Sequence, residues 1–232
     1  MDPNRAATKA TAVTLAYVDV FGSHITRGEL LYLLSVAEHE THCGDDWKDR
    51  HGNGVHNWGA VQWRVPTADE LVRIKVGDLH VGDTIPGGIL QQDSSPGKGQ
   101  YYVFFRAYGD DRQGAASLVA TLYKHNPEAR AVAQAVGSPG AFCAAMYRRG
   151  YFEGVHPGAR PAFGPKGELL RSIPLNTGET ANVDDYASAV SILLRSWSAA
   201  LASFPMAAPG IDFAPERVSL TEADEHEALA AG

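Results

Sequence analysis

The chain has 232 residues, of which 44% are hydrophobic and 20% charged, and its formal net charge is −7. This composition is typical of a globular domain that buries its core without disulfides or a structural metal. The acidic balance, with no basic stripe, argues against a nucleic-acid binder. No apolar run approaches the roughly 20 residues of a membrane span. The two cysteines, Cys43 and Cys143, lie in separate helical segments and form no C-x-x-C motif, so we interpret them as half-buried packing residues.

The N-terminal residues 1–25 read as an irregular lead-in with a short helical piece at residues 12–21. They lack the apolar run of a signal peptide. We therefore expect synthesis in the cytoplasm, and any action on a cell wall would require delivery by another route.

The first strong helix signal is a capping box formed by Thr26 and Glu29. Leucines at helical spacing follow, and the pattern predicts a central apolar helix that ends near Thr41. Residues 44–59 are rich in Asp, Asn, His and Gly and predict a loop that lines a groove.

A small irregular β-lobe is predicted next, and helices follow it. The predicted strands are at 60–64, 73–76, 88–90 and 101–108. The predicted helices are 110–124, one opened by Asn126 and Pro127, one opened by Ser138 and Pro139, and 184–201, which Asn182 caps. Residues 151–181 read as a Gly/Pro-rich loop. The predicted class is α+β, a mainly helical lobe and a small β-lobe with a cleft between them. The predicted division is a lead-in (1–25), one domain (26–202) and a tail or docking segment (203–232).

The densest cluster of side chains that could take part in catalysis is at residues 38–42, Glu-His-Glu-Thr-His, at the end of the central helix. At roughly 100° per residue, Glu38 and Glu40 lie on either side of the leucine stripe. A carboxyl there is partly desolvated, which raises its pKa as a general acid requires. Periodicity does not choose between the two, and a pair of solvated surface acids is the alternative interpretation.

Other chemistries fit the sequence less well. His39 and His42 are three residues apart, whereas the zinc motif H-E-x-x-H needs four, and the loop acids lack EF-hand spacing. No G-x-S-x-G or phosphate-binding glycine loop occurs. We expect neither a metal nor another cofactor.

Five short segments, in order, resemble the flagellar-type glucosaminidases (glycoside hydrolase family 73-like) of the lysozyme-like superfamily. The resemblance spans about residues 25–200, and its segments are 34–44, 56–61, 105–108, 150–151 and 185–190. The first resembles the end of the family's catalytic helix, Glu-Ser-Gly-Trp-Gly, with Glu40 at the catalytic glutamate. The others resemble its Asn-Asn-aromatic-aromatic-Gly-Ile-Lys segment, its Phe-Arg-x-Tyr strand, its Gly-Tyr pair and the start of its last helix.

The resemblance implies a lysozyme-like fold that cleaves peptidoglycan glycan strands, with Glu40 as the acid. For the second carboxylate it offers Asp93, with Asp78 and Asp83 as fallbacks. The implied sugar-binding residues are Asn57, Trp58, Tyr108 and Tyr151, although the aromatic ones also read as core residues. The chain departs from the family where Cys43 replaces its Trp and where residues 150–154 lack its Gly-Tyr-Ala-Thr-Asp sequence.

The predicted function is therefore a peptidoglycan β-N-acetylglucosaminidase or muramidase, a glycoside hydrolase. One alternative is a lytic transglycosylase that uses a single Glu as acid and base. The other is a non-catalytic lysozyme-like component of a phage tail or contractile injection particle, held through the C-terminal tail. The predicted partners are thus glycan strands and such a particle or secretion machine.

Overall fold

The computed structural model describes residues 1–95, 99–151, 162–163, 169–171 and 177–205. The described chain is mainly helical, with a four-stranded antiparallel sheet inserted after the second helix. The predicted α+β class is confirmed. None of the helices in the described ranges is long and apolar enough to cross a membrane.

The first helix, α1, runs over Pro3–Phe21. Asp2 caps it by accepting a hydrogen bond from the Asn4 N–H at 3.0 Å, and Pro3 occupies the first turn. Its buried face belongs to the main apolar core, together with residues of α2. The prediction of an irregular lead-in with a short helical piece at 12–21 was therefore wrong, whereas the predicted domain division stays a prediction.

The central helix α2 runs over Arg27–Thr41, as its capping box predicted. Thr26 and Glu29 cap each other reciprocally, and the helix ends where His42 adopts a left-handed conformation. It packs against α1 and against α4 (Asp111–Val119), α5 (Pro127–Gln134) and α7 (Thr177–Ala200). Elements from both halves of the chain therefore pack against α2.

The sheet has the strand order β1-β4-β3-β2. Its strands are β1 (Gln62–Arg64), β2 (Thr84–Ile85), β3 (Gly88–Ser95) and β4 (Gly99–Arg106). Alternation along the β3–β4 pair places Ile89 and Phe105 in one small core and Leu90 and Phe104 in another, so apolar groups cover both faces. The predicted cleft beside this lobe stays a prediction.

The predicted strand at 73–76 was wrong, because these residues belong to helix α3 (Ala68–Val76). Thr67 and Glu70 form a second capping box, and Gly77 ends the helix at a φ of 82°. The β-branched residues of the segment favour a strand, but these two end signals favour a helix. None of the residues of α3 is buried.

The remaining helices agree broadly with their sequence signals. α4 continues into a π-helical turn at Ala120–Lys124, and α6 spans Pro139–Arg148 after its Ser138 cap. α7 starts at Thr177 rather than after Asn182. The segment predicted as loop contains two paired strands, β5 (Ala162–Phe163) and β6 (Leu169–Arg171). Residues 152–161, 164–168 and 172–176, and residues 206–232 of the tail, lie outside the described chain.

Candidate active site

The carboxyl of Glu40 lies in the last turn of α2 and is half-buried. The Tyr186 hydroxyl, from α7, donates a hydrogen bond to its Oε1 at 2.5 Å. The His39 ring packs edge-on against the Tyr186 ring, with the centroids 4.5 Å apart. Burial raises the pKa of Glu40, and the Tyr186 hydrogen bond and the charge of His39 offset this only in part. A carboxyl in this environment retains its proton to a higher pH than an exposed one.

The neighbouring Glu38 has a different environment. Arg5 of α1 forms an ion pair with it, with Nη2 3.0 Å from Oε2. The Cys43 thiol donates a hydrogen bond to the same oxygen at 3.4 Å. In the described part of the chain, no Lys or Arg forms such a pair with Glu40. Glu38 is thus held by a cation, whereas burial raises the pKa of Glu40, so Glu40 is the better placed of the two to donate a proton.

Tyr151 completes the surroundings of Glu40. Its hydroxyl is buried and has no hydrogen-bond partner among the described residues. It lies close to Gly59, where an added Cβ would be 3.3 Å from the hydroxyl oxygen. Burial first, and then the charge of Glu40, raise the pKa of Tyr151 well above its usual range. The pKa of Tyr186 is likewise raised well above its usual range by burial, and next by Tyr151 and Glu40. The two neutral phenols and Glu40 therefore form one electrostatically linked cluster.

The turn after Glu40 has an uncommon backbone. His42 and Cys43 are left-handed, with φ of 47° and 54°, and Gly44 follows at 81°. The Thr41 hydroxyl donates to the Trp58 carbonyl at 3.0 Å and accepts from the Gly44 N–H at 2.9 Å. An added Cβ at Gly44 would lie 2.9 Å from Cδ1 of Trp58, so this position requires glycine for both φ and space. The turn thus joins the end of α2 tightly to the loop before β1.

Two predicted sugar-binding residues have structural roles instead. Asn57 and Trp58 are fully buried. The Asn57 side chain bridges the Val61 N–H and carbonyl at 2.9 and 3.0 Å, and the Trp58 indole N–H donates to Asp111 at 3.1 Å. A ring with no exposed surface cannot stack on a sugar. Both assignments are therefore corrected to residues that shape the loop before β1.

The other predicted residues lie farther along the chain. Asp93, in β3, accepts hydrogen bonds from Gln62 at 2.9 Å and from Tyr101 at 3.2 Å. Tyr108 is half-buried, and its hydroxyl is 2.6 Å from that of Ser117. The contacts described for Asp93 are with side chains of the sheet, whereas those of Glu40 are with α7 and its own helix. The roles of Asp93 and Tyr108 stay predictions.

Comparisons with known proteins gave a structural match only. Two solved structures are similar to the chain. The first is the glycoside hydrolase domain of FlgJ from Salmonella typhimurium, at 16% identity over 88% of this chain and 92% of that one, with a TM-score of 0.44. The second is a C-terminally truncated form of that domain, at 15% identity over 84% and 98%, with a TM-score of 0.42. No protein-family model and no curated protein matches the chain.

Tyr186 is the site residue that sequence reasoning missed. It lies 146 positions from Glu40 in the chain, on the apolar side of α7, where its pattern indicates a core residue. The sequence feature that could have indicated its role is its position in 185–190, the last of the segments that resemble the flagellar-type glucosaminidases. Within the described ranges no three His, Cys, Asp or Glu side chains come together as metal ligands. The cluster that is present can hold and donate a proton.

Proposed function

We propose that this protein cleaves the β-1,4 glycan strands of peptidoglycan, as an N-acetylglucosaminidase or muramidase, with Glu40 as the general acid. The observation that carries the proposal is the half-buried Glu40 carboxyl, whose pKa burial raises and whose hydrogen-bond donor is a neutral phenol. The choice of peptidoglycan comes from the five ordered sequence segments that resemble the flagellar-type glucosaminidases.

The environment of Glu40 fits the first chemical step. Glycoside cleavage needs a protonated carboxyl that donates to the leaving-group oxygen as the oxocarbenium-like charge develops. Burial raises the pKa of Glu40, which favours its protonated form, and the Tyr186 hydroxyl bonds to Oε1 rather than to Oε2. Because the acid form is the active one, activity falls as the pH rises through the pKa of Glu40.

The group that acts as the base, beside the acid Glu40, distinguishes two candidate activities. A hydrolase with two carboxylates requires a base, and Asp93 is the residue we propose for it. The described neighbours of Glu40 are instead Tyr151, Tyr186 and His39, with no second carboxyl among them. This favours a second candidate, a lytic transglycosylase, in which the same glutamate protonates the leaving-group oxygen and then accepts a second proton from the sugar hydroxyl that closes the anhydro ring.

The products separate these candidates. Purified peptidoglycan would be digested with the protein, and the soluble fragments would be identified by mass spectrometry. Reducing ends that retain the elements of water indicate hydrolysis, and the terminal sugar shows which bond is cut. Anhydro-muramyl ends, lighter by one water, indicate transglycosylation. If intact, folded protein releases no fragments from any peptidoglycan type tested, the enzymatic proposal fails and the non-catalytic alternative is favoured.

Asp93→Asn tests the base. A two-carboxylate hydrolase should lose most of its turnover with this substitution, while a single-glutamate enzyme should retain it. The matched control is Asp69→Asn, which alters an exposed carboxylate of α3, between β1 and β2 in the chain. Equal effects of the two substitutions would contradict a specific role for Asp93.

A further inference from the structure

Helix α1 brings two cations to the C-terminal end of α2. The Arg5 guanidinium donates to the His42 carbonyl at 2.8 Å, and the Lys9 ammonium donates to the Cys43 carbonyl at 3.0 Å. These carbonyls follow Glu40 by two and three residues. The end of a helix carries partial negative charge on its unpaired carbonyls, so cations there are stabilising.

The backbone that these cations hold is strained. His42 and Cys43 both have positive φ, which residues other than glycine adopt only when their surroundings enforce it. Two such residues in succession turn the chain sharply away from the axis of α2, immediately after Glu40. Because left-handed backbone is costly for residues other than glycine, contacts from outside α2 stabilise this turn.

Lys9 makes the more specific of the two sets of contacts. It is only 5% exposed, and its ammonium has three acceptors: the Cys43 carbonyl at 3.0 Å, Asp45 at 2.7 Å and Asp111 at 2.8 Å. An ammonium has three N–H donors, so each of these acceptors can take one. Asp111, in the first turn of α4, also accepts from the Trp58 indole. One buried charge therefore links α1, the turn after α2, and the start of α4.

We infer that Lys9 is a positioning residue for Glu40, and that α1 contributes to the active site through this one side chain. This inference rests on the proposed function for its kinetic consequence, though not for its structural one. Lys9 holds the left-handed turn at Cys43, and this turn sets the position of the last turn of α2. Glu40 then faces Tyr186 in the arrangement that donates a proton.

The kinetic test compares Lys9→Met with Asp19→Asn on the intact chain. Asp19 of α1 forms an ion pair with Arg112 of α4, 2.6 Å apart, so the control removes a bridge between the same two helices away from the turn. We expect Lys9→Met to lower kcat by roughly 10- to 100-fold, because small displacements of a reacting group have effects of this size. KM should change by less than about two-fold in this comparison, since substrate contacts are retained. Asp19→Asn should retain both constants within about two-fold, because exposed ion pairs contribute little.

A second measurement does not depend on activity. The Cys43 amide donates to the Ala37 carbonyl at 2.9 Å, and the Gly44 amide donates to Thr41, so their hydrogen exchange reports on the turn. In Lys9→Met these two amides should exchange at least about ten times faster than in the wild type, while amides in the middle of α2 keep their rates. Asp19→Asn should leave all of them unchanged. If the wild-type protein proves inactive on peptidoglycan, the exchange result still decides whether Lys9 holds the turn.

The substitution of a buried residue can prevent folding, so Asp45→Asn provides a milder variant. Asp45 lies on the exposed side of the cluster and contacts both Lys9 and Arg5. It should lower kcat and speed the exchange of the two amides by about three-fold each, because its ion pairs are partly solvated. Unchanged amide exchange in a folded Lys9→Met or Asp45→Asn protein would overturn the inference, as would an equal loss of kcat in Asp19→Asn.

Discussion

Glu29 joins three helices through one buried carboxylate, and its removal should be among the most destabilising single changes. The side chain is fully buried at the start of α2. It accepts hydrogen bonds from the Tyr17 hydroxyl of α1 at 2.5 Å, from Arg130 of α5 at 2.9 Å and from Gln134 at 3.0 Å. It also accepts the Thr26 N–H at 2.8 Å as half of the capping box. Glu29→Ala leaves all four donors without this acceptor.

The expected magnitude follows from these contacts. Removal of one partner of a buried ion pair costs about 3–5 kcal/mol. The Arg130 side chain is 27% exposed and can be partly rehydrated, so we expect a loss near the lower limit, about 3 kcal/mol. For a chain of this length, each kcal/mol lowers Tm by about 2–4 °C, so Tm should fall by about 6–12 °C.

The assay is thermal unfolding followed by circular dichroism, with Glu70→Ala as the matched control. Glu70 occupies the same position in the capping box of α3 and also has an arginine partner, Arg64 at 2.7 Å. Because no residue of α3 is buried, its loss should cost only about 1 kcal/mol, the usual value of a cap. If Glu29→Ala destabilises the protein no more than Glu70→Ala does, the buried carboxylate is not the junction that we describe.

Three further predictions follow from particular contacts. Burial opposes, but hydrogen bonds outweigh it and lower the pKa of Glu29 on folding, so its stabilising contribution is lost as the pH falls below the ordinary value of 4.5. The free energy of unfolding in urea should therefore depend less on pH in Glu29→Gln than in the wild type below that pH, and an equal dependence in the two proteins would contradict this. Tyr186→Phe should move the alkaline limb of the pH–activity profile upward by roughly one pH unit, because it removes a hydrogen bond worth about 1.5 kcal/mol to the ionised form of Glu40; a shift to lower pH would refute the assignment. Gly114→Ala should destabilise the protein strongly, because its Cβ would lie 1.9 Å from the His56 carbonyl oxygen; an unchanged melting temperature would show that this approach is not so close.

Local end signals made the helices largely predictable from the sequence. The capping box at Thr26 and Glu29 and the cap–proline pairs before α5 and α6 lie within a few residues of the boundaries that they set. The wrongly predicted segments, those of α1 and α3, also carry helix end signals, but other patterns were given more weight. Asp2 and Pro3 mark the start of α1, and the capping box of α3 precedes a run of β-branched residues that was interpreted as a strand.

Helical periodicity could not distinguish Glu38 from Glu40, because a helical wheel places both at the edge of the apolar face. It depends on tertiary contacts with residues remote in sequence. Arg5, 33 positions earlier, forms the ion pair with Glu38, and Tyr186, 146 positions later, bonds to Glu40. The burial of Trp58 is likewise a tertiary effect, since its loop composition indicates exposure while Gly44 and Gly114 pack against its ring.

The most direct test of the account compares Glu40→Gln with Glu38→Gln in the release of soluble fragments from purified peptidoglycan. Each substitution replaces a carboxyl by an amide of the same shape, two residues apart on one helix. Equal melting temperatures would confirm that both proteins are folded. We predict that Glu40→Gln lowers the rate by at least about 100-fold, the effect expected for a general acid. Glu38→Gln, which weakens the Arg5 ion pair and the Cys43 thiol contact, should retain most of the rate. Wild-type release by Glu40→Gln, or a greater loss in Glu38→Gln, would contradict the assignment of Glu40 as the acid.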